Sequence, residues 1–94
     1  MRIDAEFGWN DEKNRQLKAE RGLSFEDVVA AIENGRVLAD IDHPQAGRLG
    51  HQRILVVDIA GYACVVPYIE DGQQVFLKTV FQSRAMQKKY VVKK

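Results

Sequence analysis

Residues 53–81 read RILVVDIAGYACVVPYIEDGQQVFLKTVF and hold three apolar runs of strand length, separated by Ala60-Gly61 and by Glu70-Asp71-Gly72-Gln73-Gln74. The runs are rich in β-branched and aromatic residues, which suit a pleated, packed surface. A glycine at or beside each break supplies the positive φ of a tight hairpin, so the stretch predicts an antiparallel meander. Alternation puts Ile54, Val56 and Asp58 on one face and Leu55, Val57 and Ile59 on the other. It divides the next run into Ala63, Val65 and Pro67 against Cys64, Val66 and Tyr68. Neither face is polar throughout. That predicts a sheet with helices on one face and the other half covered, or used for contact.

Outward toward the N-terminus, residues 36–42, RVLADID, alternate with Val37, Ala39 and Ile41 on one side and predict a first strand. Before it lies the clearest helix signal of the chain. Ser24 stands as N-cap, Asp27 completes a variant capping box, Phe25, Val28, Val29 and Ile32 repeat at helical spacing, and Gly35 follows Asn34 as the stop. Residues 10–21 predict another helix, capped by Asn10 or Asp11 and ended by Gly22, with Asp11 and Glu12 where the helix dipole favours acids. Trp9 precedes it as an expected anchor onto the core, and residues 2–7 read as a short strand or an ordered arm. Beyond the meander, Ser83 caps a predicted short helix over residues 85–90, which leaves residues 91–94 as a tail or a last short strand. The expected fold class is α+β: two N-terminal helices, a four-stranded antiparallel meander and a short C-terminal helix, in a single domain over residues 1–94.

Ninety-four residues bury one core and little more. No run has the length of a membrane span or the apolar core of a secretory leader, so a cytoplasmic location is expected and no membrane partner. Cys64, the single cysteine, sits inside an apolar strand and reads as a small buried residue. The net charge of +1 conceals a gradient. Residues 1–36 carry eight acids and six bases, residues 37–77 carry five and two, and residues 78–94 carry six bases and no acid. Such a basic block faces phosphates, an acidic partner or water.

Several familiar constellations are missing: there is no CxxC, no HExxH and no glycine-rich phosphate loop. The two histidines, His43 and His51, do not have a specific metal-ligand spacing, so neither metal nor cofactor is expected. What remains is a collection of basic and polar side chains. Residues 43–52 form a predicted loop with His43, Arg48 and His51, and Arg53 stands at its edge. Lys78 and Thr79 follow the last apolar run, and Ser83, Arg84, Lys88, Lys89 and Tyr90 close the chain. In a meander the loop and the final helix are expected to share one edge of the sheet. A patch of imidazoles, cations and a phenol suits RNA cleavage, in which the RNA's own 2′-hydroxyl is the nucleophile. A protein then deprotonates that hydroxyl, stabilises charge on the phosphate and protonates the leaving 5′-oxygen. Histidine titrates near neutrality and arginine's fork matches two phosphate oxygens. The plainer reading is a solvated loop and tail that happen to be polar.

The stretch Phe7-Gly8-Trp9-Asn10-Asp11-Glu12-Lys13-Asn14, followed by Glu20-Arg21-Gly22-Leu23-Ser24-Phe25-Glu26-Asp27, resembles the opening of BrnT-type toxins. IDHPQ, HQRILVVDIAGYACVVPYIED and VFLKTVFQSRAMQKKY look like the strand signatures and ending of a subgroup close to them. Together these motifs cover nearly the whole chain. Two departures stand out: Arg21 where many relatives carry histidine before the glycine, and Ala85-Met86-Gln87 in place of a more basic stretch. The resemblance implies a RelE-like fold and a metal-independent endoribonuclease that acts on RNA, free or on the ribosome, and arrests growth. It also implies a cognate DNA-binding antitoxin as partner, with assembly as a homodimer or a toxin–antitoxin hetero-oligomer.

On this reading the catalytic candidates are His51 for proton transfer, Arg53 and Arg84 on the scissile phosphate, and Tyr90 as a base-stacking or proton-donating group. Lys78, Ser83, Lys88, Lys89 and Arg48 are the RNA-binding candidates, and His43, before Pro44, shapes the loop. The alternative is a non-catalytic, toxin-derived binding module whose basic C-terminal face docks an acidic protein partner.

Overall fold

The computed structural model of the chain describes residues 5–42 and 52–91. In chain order the elements are β1 (Glu6–Gly8), α1 (Asp11–Arg21), α2 (Phe25–Glu33), β2 (Val37–Asp42), β3 (Gln52–Ile59), β4 (Tyr62–Asp71), β5 (Gln74–Leu77), β6 (Phe81–Gln82) and α3 (Arg84–Met86), which continues into a π-helical segment over Gln87–Val91. The class is α+β. The expected meander is present, with β2, β3, β4 and β5 paired antiparallel in sequence order.

The β3–β4 hairpin turns at Ala60-Gly61, where both residues have positive φ, 54° and 86°. That is the backbone of a type I′ turn, whose twist matches the strands it joins. Asp58 Oδ1 accepts from the Gly61 N–H at 2.8 Å and holds the turn from inside. The β4–β5 turn has positive φ at Gly72, its first central residue.

The sheet has six strands rather than four and is mixed rather than antiparallel throughout. At one edge β1 pairs parallel with β5, Phe7 opposite Val75, and the Glu6 N–H donates to the Gln73 carbonyl at 2.8 Å. Three residues are too few to show an alternation, so only the short strand or arm was predictable there. The sixth strand answers a need of β4. At ten residues β4 outruns the four of β5. β6 pairs with the remaining edge, Cys64 opposite Gln82 and Val65 opposite Phe81. A buried strand edge without partners is costly, and two residues suffice to relieve it.

One face of the sheet carries Leu55, Val57, Cys64, Val66, Tyr68, Val75 and Leu77 into a common core with Leu17, Leu23, Phe25, Val28 and Ala31 of the helical hairpin. Trp9 anchors there as expected, its ring stacked on Phe25 at 5.6 Å. Val56, Ala63 and Val65 lie on the opposite face and are buried as well. The C-terminal helical turns pack on β4.

The two helices are tied by a buried side chain. Asn14, 5% exposed, accepts from the Phe25 N–H at 2.8 Å and donates to Glu26 Oε1 at 2.8 Å. It satisfies a free N–H in the first turn of α2, while Ser24 and Asp27 form the capping box beside it. The Asn14 amide also holds the Glu26 carboxyl below its ordinary range. Cys64 is buried, and desolvation pushes its thiol up to about 11. It is therefore protonated and unreactive at neutral pH.

Two stability measurements test this account. A non-glycine residue in the left-handed region costs about 1–2 kcal/mol, so Ala60→Gly raises the urea midpoint, by about 1 kcal/mol once the added chain entropy of glycine is counted. Asn14→Leu strands the Phe25 N–H and lowers stability by about 1–3 kcal/mol.

Candidate nucleic-acid interface

Folding the hairpin at Ala60-Gly61 brings Arg53 opposite Tyr68, and β2 lays Asp42 beside Arg53 on the other flank. All three, with Asp40, fall on the helix-covered face by strand parity. They form one network. Arg53 Nη1 donates to Asp42 Oδ1 at 2.6 Å, its Nε lies 3.2 Å from both Asp40 Oδ1 and the Tyr68 hydroxyl, and its Nη2 donates to the Asp40 carbonyl at 3.3 Å. The Tyr68 hydroxyl donates to Asp40 Oδ1 at 2.6 Å. The guanidinium is thus neutralised by two carboxylates and a third of its side-chain surface remains exposed. Its hydrogen bonds, from Tyr68 first and Asp40 next, push its pKa further up. The Tyr68 phenol is pushed well above its ordinary value by burial and by its bond to Asp40, with Arg53 opposing.

The C-terminal group is built differently. Ser83 caps α3, its Oγ accepting from the Met86 N–H at 3.2 Å, so this predicted RNA-binding hydroxyl has a local structural task. Gln87 then clamps the helix to the sheet. Its Oε1 accepts from the Ala63 N–H at 2.7 Å and its Nε2 donates to the Gly61 carbonyl at 3.3 Å, continuing the β4 ladder past β6 with a side-chain amide. Arg84, Lys88 and Lys89 are exposed and form no ion pair with an acid among the described residues. The Lys89 ammonium stands 5.4 Å from the centre of the half-buried Tyr90 ring. Exposed cations without acidic partners among the described residues, one of them beside an aromatic ring, suit a sugar-phosphate backbone with bases beside it.

The predicted residues therefore do not form one patch. Arg53 pairs with β4 at Tyr68, whereas the terminal helix is clamped at Ala63. Five residues of strand separate the two anchors, roughly 17 Å at the usual rise. Lys78 forms a third location, in a polar groove of about 380 Å³ with Asn10, Glu12, Lys13 and Gln16 at the start of α1. Arg48, His51 and His43 lie outside the described residues. Among the described residues no group of three or more His, Cys, Asp and Glu side chains is placed to hold a metal ion, and no helix is long and apolar enough to cross a membrane.

Sequence reasoning missed the partners of Arg53. The signal was there: reflection about Ala60-Gly61 sets residue 53 against residue 68, and Asp40 and Asp42 share a parity in RVLADID. It also missed Gln87, whose task depends on where β6 ends and leaves no local pattern. No family model, curated protein or solved structure matches the chain.

The raised phenol gives a pH test. Below about pH 10 folded and unfolded chains both keep the Tyr68 proton, and the full stability is present. Above it the unfolded chain releases the proton first, so stability falls as pH rises. Tyr68→Phe flattens the loss in urea midpoint between about pH 9 and 11, at a cost near neutrality of about 1–2 kcal/mol from the lost hydrogen bond.

Proposed function

We propose that this protein is a toxin of a type II toxin–antitoxin pair, RelE-like in fold and BrnT-like in family. It acts as a metal-independent endoribonuclease whose phosphate-binding surface is the C-terminal helix. The observation that carries the reading is the contrast in charge. Arg84, Lys88 and Lys89 are exposed cations without acidic partners among the described residues, on a helix pinned to β4, while Arg53 is neutralised by Asp40 and Asp42. Phosphate contact then falls to the helix, and Arg53 becomes a positioning residue for β3, whose first residue follows His51 in the chain.

In the proposed reaction the 2′-hydroxyl attacks the adjacent phosphorus and the bond to the 5′-oxygen breaks. A 2′,3′-cyclic phosphate and a free 5′-hydroxyl result. Arg84 stabilises charge on the non-bridging oxygens, and Lys88 and Lys89 hold neighbouring phosphates. His51 moves the proton, and Tyr90 stacks on a base or donates to the leaving oxygen. A cognate antitoxin neutralises the protein by covering the same cations.

A specific observation favours the second reading as well. Ile41, Phe76 and Phe81 are exposed, and strand parity puts them on the sheet face away from the core. With the basic helix they would suit an acidic, amphipathic protein segment.

Total RNA incubated in EDTA with the purified chain separates the two. The nuclease reading predicts fragments ending in cyclic phosphate. It predicts loss of at least about 100-fold in rate for His51→Ala, the usual scale of a general acid or base. Arg84→Ala with Lys88→Ala loses binding and cleavage together. Intact RNA, free and on ribosomes, overturns the nuclease and leaves the binding module.

A further inference from the structure

By strand parity the sheet face away from the core carries Ile41, Ile54, Pro67, Ile69, Phe76 and Phe81, all apolar and all at least partly exposed. An exposed apolar face of this kind marks a contact surface. Its layout is symmetric about one line. Pro67, Ile54 and Ile41 form a row across three strands. Phe76 stands opposite Ile69 and Phe81 opposite Val65, so both rings lie along the same edge of β4, each two residues from Pro67 and in opposite directions. A two-fold axis laid along that row, parallel to the sheet and across its strands, therefore sets Phe76 of one copy over Phe81 of another, and the reverse. The place beside Phe76 is open: a Cβ added at Gly8 would meet only that ring, at 3.9 Å, and the two residues help line a cavity of about 220 Å³.

The charges follow the same symmetry. Asp71 lies on this face four residues beyond Pro67, and Glu6 shares the face opposite Gln74; both are exposed and in no ion pair among the described residues. Four residues in the other direction is Ala63, whose carbonyl accepts from the Ser83 N–H at 3.0 Å. Arg84 is thereby held at that end, and Lys88 and Lys89 follow it on the helix. The axis that pairs the rings thus brings the acidic end of one copy to the basic end of the other. We propose that this face is the interface of a homodimer. Its occupant is a second copy of the chain turned end for end, with Phe76 against Phe81, and Asp71 and Glu6 against Arg84 and its helix. Such an isologous contact uses one patch twice, and two sheets stacked face to face interdigitate their side chains. A foreign acidic segment also suits cations and rings, but it does not call for two rings equidistant from Pro67 or for acids and bases at matching distances beyond them. The inference does not depend on the nuclease reading.

Sedimentation velocity of the full chain over a range of concentrations tests this, with Phe76→Ala, Asp71→Arg and Arg84→Asp each checked for monomer fold by circular dichroism. The wild type is expected to move from monomer to dimer as concentration rises. Truncating an anchor ring weakens a contact by at least about five-fold, and the two-fold axis repeats each substitution, so Phe76→Ala raises the dimer Kd by about 25-fold or more. Asp71→Arg alone and Arg84→Asp alone each set like charges together and weaken the dimer. An equimolar mixture of the two restores opposite charges at both ends and recovers a heterodimer. A wild type that stays monomeric up to about 1 mM overturns the proposal. So does a dimer whose Kd is unmoved in Phe76→Ala, since another surface then joins the copies, or a mixture of the charge variants that associates no better than either alone. A glutamate-rich amphipathic peptide that binds a monomeric wild type and loses affinity in Phe76→Ala assigns the face to a foreign partner and overturns it as well. No RNA enters the test, so its failure is separate from failure of the nuclease.

Discussion

β4 has ten residues of backbone to satisfy on two edges, and the rest of the chain is arranged around that demand. One edge is taken by β3 in unbroken register from Gln52 opposite Ile69 to Ile59 opposite Tyr62. The other is shared. β5 covers Tyr68 to Asp71, the Lys78 N–H reaches the Pro67 carbonyl at 2.9 Å, β6 covers Cys64 and Val65, and the Gln87 amide serves Ala63 and Gly61. Buried N–H and C=O groups left without partners are costly. After β5 the chain must therefore run back along β4, and the C-terminal helix arrives at the hairpin end because Gln87 completes the ladder there.

That course also distributes the charge. The carboxylates of β2 and the guanidinium of β3 meet beside Tyr68 and cancel. The bases of residues 84–89 come to rest at the other end of β4 with no acid to pair with among the described residues. Net charge alone, +1, conveys nothing of this. A field that attracts anions comes from uncompensated cations held together, and the fold separates them from those already paired.

Much of the fold was legible because its signals are local. Ser24 with Asp27, Gly22, Ala60-Gly61 and Gly72 mark element ends through the backbone shapes they favour, and the parity of residues 53–68 divides the sheet's faces. β1 and β6 were not legible as paired strands: three and two residues carry no period, and each is defined by the partner it meets. The site was legible only in composition. That residues 78–94 are basic can be counted. That Arg53 is occupied by Asp40 and Asp42 needs the register of three strands, and that Arg53 and the terminal helix anchor at different points of β4 needs the position of Gln87. His51, central to the chemical reading, lies outside the described residues.

The central claim is that the terminal helix, and not Arg53, holds the RNA backbone, and the salt dependence of binding addresses it directly. For single strands the slope of log affinity against log salt changes by about 0.7 for each phosphate that the protein ceases to neutralise. With 2′-O-methyl RNA, Arg84→Gln is predicted to shallow the slope by about that amount, and Arg53→Met, checked for fold, to leave it unchanged. A slope that shallows in Arg53→Met and holds in Arg84→Gln would place the phosphates on β3 and contradict the account.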